Sequence, residues 1–218
     1  MTANLAATDD WGELLDVLDP GDPTGSRVIA RYDRLRVHRE GLLHRSVHVC
    51  VVRSVPDWPA QVHGLRNTNY KLLLQRRSES KAIAPGCWDL SCAEHLRAGE
   101  SFEGAAVRGL QEELGLALAP DQQTTPIHAL DDGEPALQLY DYPSVGLTDY
   151  EWNRIYVVFV TDQADEALAK LKLDSAEVAQ VRWITRESLQ MELAKNPSHF
   201  TPWFRDQARK HLLPSAYN

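Results

Sequence analysis

Glu112 and Glu113 are adjacent acids in a stretch that otherwise reads as a helix packing against something, AGESFEGAAVRGLQEELGL at residues 98–116. At about 100° per residue, Phe102, Ala105, Ala106, Gly109 and Leu110 gather on one side. Glu113 falls inside that stripe and Glu112 at its margin, whereas a solvated face would carry its acids opposite. Carboxylates at a crowded surface need compensating charge, because burying an unpaired acid is expensive. A hard divalent cation supplies it, and Mg²⁺ takes one or two carboxylates together with substrate phosphate oxygens. An exposed acidic pair is the commoner fate of such a dipeptide, but the wheel position favours the metal. Gly109 stands three and four residues before the acids, where a side chain would meet theirs. Glycine costs a helix interior roughly 0.5–1 kcal/mol relative to alanine, so the sequence accepts a penalty there.

Strands must carry that helix. Residues 13–19 and 26–32 read as two strands about the turn PGDPTG. SVHVCVVR (46–53) and YKLLLQRR (70–77) are further strands, separated by a long excursion over 54–69. WDLSCA (88–93) is a short strand, and the helix over about 101–114 is closed by Gly115 in the C-cap position. ALQLYDY (136–142), NRIYVVFV (153–160) and VAQVRWI (178–184) complete the strands. Helices are expected over 164–173, over 185–196 behind Thr185 as N-cap, and over 200–213. Strands and helices mix without strict alternation, which argues for an α/β domain with a central mixed sheet covered by helices.

The chain has 218 residues, 43% of them hydrophobic, and a formal net charge of -8. That acidity argues against nucleic acid or an anionic membrane as partner, and a phosphate-bearing substrate would need bound cations. The three cysteines, Cys50, Cys87 and Cys92, are too few for a disulfide framework and fit a reducing compartment. Neither a secretory leader nor a membrane-spanning run is evident, so the expected location is cytoplasmic. A homodimer is left open as an expectation.

The quoted segment resembles the Nudix box, G-x5-E-x7-R-E-U-x-E-E-x-G-U with U aliphatic. Glu100, Arg108, Leu110, Glu112, Glu113, Gly115 and Leu116 match at the right spacing, while Glu94 stands for the opening glycine and Gly109 for the first glutamate of the R-E pair. The resemblance implies an α/β/α sandwich with a central mixed sheet, preceded by an extension over 1–29 with a hairpin and spanning 30–218 as one domain. It implies Mg²⁺ or Mn²⁺ on Glu112 and Glu113, a diphosphate substrate, and a structural pairing of Glu100 with Arg108. For the missing acid three explanations compete: Glu94, Glu151 or Glu177 fills the role, fewer ligands suffice, or turnover is lost. Glu94 is foremost, because it occupies the other aberrant position of the same unit.

Over roughly residues 30–213 the chain is also similar to the isopentenyl-diphosphate isomerase branch of that superfamily, through VHREGLLHRSVHV, LLLQRRSESKAIAPGCWDLSCAEH, DYEWNRIYVV and FTPWF. Carried over by position, metal-binding histidines correspond to His44, His95 and, with altered spacing, His38. The acids correspond to Asp149, Glu151 and Glu113. His48 and His63 are read as ordinary hydrogen-bonding histidines. Arg76, Arg77, Lys81 and Trp88 are candidates for substrate binding, and Glu177 or Glu151 for the general base. In the isomerases a catalytic cysteine precedes the histidine matching His95 by two residues. Here that place holds Ala93, and adjacent strand residues face opposite sides, so Cys92 cannot stand in for it. Three functions are open, in order: a metal-dependent diphosphohydrolase, a Nudix-shaped binding or regulatory module, and an isomerase disfavoured by Ala93.

Overall fold

The computed structural model describes residues 9–54, 65, 69–117, 127–130, 134–160 and 171–213. β1 (Leu14–Leu18) and β2 (Val28–Asp33) form a two-stranded antiparallel hairpin, so the hairpin straddles position 29. Leu15 and Val17 are buried with Val37, and the buried Asp16 takes Arg45 at 2.8 Å and the Gly99 N–H at 2.8 Å. Those two contacts fasten the hairpin to the rest of the chain.

α1 (Arg34–Glu40) is not signalled by hydrophobic periodicity, because at seven residues it is too short to show one. Its ends are nevertheless marked: Asp33 accepts from Arg36 N–H, and Gly41 ends it at φ 61°. It places Arg34 and His38 one turn apart on a single face.

The main sheet is mixed and has eight strands: β3 (His44–Ser54), β4 (Tyr70–Arg77), β5 (Trp88–Asp89), β6 (Cys92–His95), β7 (Ile127–Ala129), β8 (Ala136–Tyr142), β9 (Leu147–Val160) and β10 (Val178–Thr185). The path runs β10-β4-β3-β9-β7, with β5 on β4, β6 on β3 and β8 on β9. Among the described strand pairs only β3 and β9 run parallel, which makes the sheet mixed. Alternation decides the faces. Val47, Val49 and Val51 pack under α2 (Phe102–Leu114) with Ala105, Ala106 and Leu110. Cys50 and Val52 turn to the other side, towards α3 (Arg186–Lys195) and α4 (Pro202–Gln207), among Leu189, Phe200 and Phe204. Helix, sheet and helix make three layers. The expected helix over 164–173 lies outside the described residues up to 170, and 171–173 are not helical. Most of the 54–69 excursion is likewise outside them. Among the described residues no helix is long and apolar enough to cross a membrane.

One irregularity of the sheet positions the site. β3 pairs with β4 at Val52–Ser54 but with β6 at Ser46–Val49. β4 and β6 therefore diverge from the same strand, and their side chains line a cavity of about 410 Å³.

Candidate functional site

Three histidines from three elements meet, His38 of α1 and His95 of β6 at the cavity wall and His44 of β3 behind them, with ring centroids 4.9–5.0 Å apart. Their Nε2 atoms lie 3.5, 3.3 and 3.8 Å from Asp149 Oδ1 of β9. All four ligand atoms fall within 4.8 Å of one another. Glu151, two residues on along β9, brings Oε1 to 3.3 Å from His95 Nε2 and 4.0 Å from His44 Nε2.

The tautomers are set from the far side of two rings. His38 Nδ1 meets Arg34 O at 2.8 Å and His44 Nδ1 meets Leu42 O at 2.9 Å. A carbonyl oxygen only accepts, so Nδ1 carries the proton and the Nε2 lone pair faces the cluster. That second contact, holding each ring from behind, is the usual support of a metal-binding histidine. His44 Nε2, His95 Nε2 and Asp149 Oδ1 are buried without an oriented hydrogen bond among the described residues. The set of imidazoles and carboxylate fits a divalent transition ion. Burial, and then the neighbouring histidines, hold His38 well below its ordinary pKa against the pull of Asp149. For His95, burial and Arg34 would do the same, but Asp149 and Glu151 outweigh them and raise it to about 9.

Glu112 and Glu113 do not belong to that cluster. One residue apart on a helix, they diverge. Glu112 stays at the surface, accepting from Arg108 at 3.0 Å and Arg97 at 3.4 Å. Glu113 turns inward and accepts from Gln75 Nε2 at 2.7 Å and Cys92 Sγ at 3.4 Å. Burial raises the Glu113 pKa well above the carboxylate range, and the charges of Glu94 and Glu177 raise it further. α2 and the histidines contact opposite faces of β6, since Cys92 and Glu94 face the helix and Ala93 and His95 face away, so Glu113, which the resemblance matches to a second-metal glutamate, lies apart from His44 and His95.

Arg108 ties this unit together. It pairs bidentately with Glu100 at 2.9 and 3.0 Å, reaches Glu94 at 3.0 Å, and donates to His95 O at 2.8 Å. Gly115 closes α2 at φ 65° with its N–H on Gln111 O, 3.0 Å away. Cys92 is fully buried, and burial together with Glu113 pushes its thiol well above the ordinary range. Ala93 lines the cavity.

Of the candidate substrate contacts, Arg77 and Lys81 line the cavity, as does Glu177, which takes Lys81 Nζ at 2.7 Å. Lys81 is also paired with Asp9. Arg76 and Trp88 lie elsewhere. Neither borders this cavity; both line a separate surface depression, where Arg76 donates to Gly86 O at 3.0 Å and Arg182 lies 4.0 Å over the Trp88 ring. Neighbouring residues of a strand face opposite ways, so only Arg77 of the pair can enter. Arg34 and Ser46, which sequence patterning did not single out, also line the cavity, as does His48, read from sequence as an ordinary hydrogen-bonding histidine. The available signals for Arg34 were the caps of its helix and its one-turn spacing to His38.

A helix bearing this acidic box, clamped by an arginine over a forked mixed sheet, defines a Nudix fold. The Nudix-domain family model matches residues 58–204, and the chain belongs to that family. Isopentenyl-diphosphate Delta-isomerases of Serratia proteamaculans and Burkholderia multivorans are each 30% identical to it, over 88% of this chain and 87% and 90% of theirs. The structure of DR0079 from Deinococcus radiodurans is similar in fold, with a TM-score of 0.54 and 18% identity over 84% of this chain and 90% of that one.

Proposed function

We propose that this protein is a divalent-metal-dependent Nudix hydrolase that cleaves the diphosphate linkage of a small diphosphate or nucleoside diphosphate derivative. The observation that carries the reading is position 93. Ala93 borders the cavity with a methyl group, while the Cys92 thiol is turned to Glu113 and kept protonated. Shifting a carbon–carbon double bond requires a proton donor and acceptor at the substrate carbon, and a methyl group is neither. The relatives named as isomerases favour the second reading, an isoprenoid isomerase. A binding or regulatory module is the third.

His38, His44, His95 and Asp149, with Glu151 beside them, would hold the cation. Bound there, it supplies positive charge against the diphosphate and a site for activating water. Arg34 and Arg77 line the cavity as the candidate phosphate contacts, while Lys81 and Arg108 border it already paired with acids. A guanidinium can grip phosphate oxygens with two parallel donors, which fixes orientation as well as charge. Glu151 and Glu177 are the candidate bases for water, and Glu113 and Glu94 are carboxylates on the helix side of the same space. Glu112, held at the surface by two arginines, serves the clamp. Release of monophosphates from a panel of nucleotide, sugar and prenyl diphosphates with Mn²⁺ or Mg²⁺ tests the proposal. Conversion of isopentenyl diphosphate to its double-bond isomer, with no phosphate released from any of them, would overturn it.

A further inference from the structure

Below the histidine cluster, the cavity has a floor that none of the assigned chemistry uses. His44, Ser46 and His48 alternate along β3 and so share one face of the sheet. Across the ladders, His44 is level with Glu151, Ser46 lies between His95 and Asn153, and His48 is opposite Ala93. Each row lies about 7 Å beyond the last. Ser46, level with the ion-binding His95, and His48, one row further along β3 and opposite the methyl group at 93, therefore both line the cavity.

This floor is polar and is held in place. Asn153 Nδ2 donates to Ser46 Oγ at 2.8 Å, and Gln207 Nε2 contacts both Asn153 Oδ1 at 3.0 Å and His48 Nδ1 at 3.1 Å. All four side chains are buried. The hydrogen bonds made by Asn153 Nδ2 and Gln207 Nε2 restrain these side chains, although Gln207 Oε1 has no hydrogen-bond partner among the described residues. The network ends in the cavity at a hydroxyl and an imidazole. The apolar lining is confined to Ile83, Ala93 and Trp203 among the described residues.

We propose that this floor determines specificity: Ser46 and His48, positioned by Asn153 and Gln207, receive an organic group bearing hydroxyl or ether oxygens and discriminate against a hydrocarbon one. The inference rests on the reading of the site as one for diphosphates. A branched hydrocarbon laid over Ser46 and His48 strips their water and returns no hydrogen bond, whereas a sugar-like group replaces it. Sites built to hydrogen-bond a substrate reject analogues that lack the partner far more strongly than apolar pockets reject an added hydroxyl.

Calorimetry with Mn²⁺ present tests this on methylenebisphosphonate analogues, which bind without being cleaved. The probes are the analogues of ribose 5-diphosphate and isopentenyl diphosphate, with methylenebisphosphonate itself as the common reference. The ribose compound is expected to bind at least tenfold more tightly than the isopentenyl one. Ser46→Ala and His48→Leu should each reduce that preference about tenfold, the worth of one hydrogen bond to a buried partner, and leave the reference ligand unaffected. Should His48→Leu fail to fold, reference binding is lost with it, and Ser46→Ala, which removes a single oxygen, carries the test. Equal binding of the two organic probes, tighter binding of the isopentenyl probe, or no gain of either over the reference overturns the inference. Because binding is measured, a ribose preference without turnover would sink the hydrolase reading and leave this one standing.

Discussion

Glu94 fills the space in front of Gly109: a Cβ at 109 would lie 2.4 Å from Glu94 Cγ and 2.6 Å from Cys92 Sγ. The Glu94 and Cys92 side chains of β6 occupy the place a side chain at 109 would take, and the Glu94 carboxylate comes up beside Glu113 and Arg108. The two departures from the Nudix box are therefore a single feature. Where the box pattern has glutamate at 109 and glycine at 94, this chain has the reverse.

Because the colliding atom is a Cγ near the strand backbone, it cannot swing aside cheaply. Gly109→Ala should lower stability by about 1–3 kcal/mol of overpacking, only partly offset by its better helix propensity. Adding Glu94→Ala should recover part of the loss and leave the Cys92 contact. A double-mutant cycle read by denaturant unfolding measures the coupling. Additive effects would show that the two side chains do not share the space. By the same reasoning, Gly109→Glu alone should cost stability rather than restore an acid.

Glu113 is buried and crowded by the charges of Glu94 and Glu177. Glu113→Gln keeps its shape and removes the repulsion, so the metal-free protein should melt higher while phosphate release falls at least tenfold. A variant with lower melting temperature and full turnover would contradict both halves.

Among the described residues Asp149 is the one carboxylate faced by all three histidines. Asp149→Asn should weaken Mn²⁺ binding at least tenfold in a calorimetric titration. Wild-type melting temperature should rise with added Mn²⁺ and fall on chelation, as linkage requires. Indifference of the melting temperature to the ion would remove the metal assignment.

His48 is fully enclosed, and burial drops its pKa from an ordinary 6.5 to about 3. The unfolded chain therefore binds a proton in the window between these values and the folded protein does not. Stability contributed by neutral His48 is complete above pH 6.5 and is lost progressively as pH falls towards 3. Comparing the pH dependence of unfolding with that of His48→Gln isolates the effect; the variant should lose less stability on acidification over that window.

Lys81 is buried between Asp9 and Glu177. Lys81→Met strands the Asp9 carboxylate in the interior and should cost about 3 kcal/mol in urea unfolding. A loss below ~1 kcal/mol would mean that water reaches Asp9.

The α2 unit was legible from the amino-acid order because its determinants are local: an N-cap at Ser101, a glycine stop at Gly115, a small-residue stripe and an arginine eight residues from Glu100. The alternating strands arise from a period that any short window contains, whereas the mixed character of the sheet comes from the long-range parallel pairing of β3 with β9. The direction of Glu112 and Glu113 was not locally determined either. Adjacent helix positions differ by about 100°, and only packing against Gln75, Cys92 and Arg97 decided which acid is buried and which is solvated. The metal candidate depended still more on tertiary structure. His38, His44, His95 and Asp149 come from separate elements, and strand register, a property of long-range pairing, sets their convergence. The same register put Ser46 and His48 on the cavity floor and turned Arg76 away, because a strand's alternation tells which residues share a face but not which face meets the ligand.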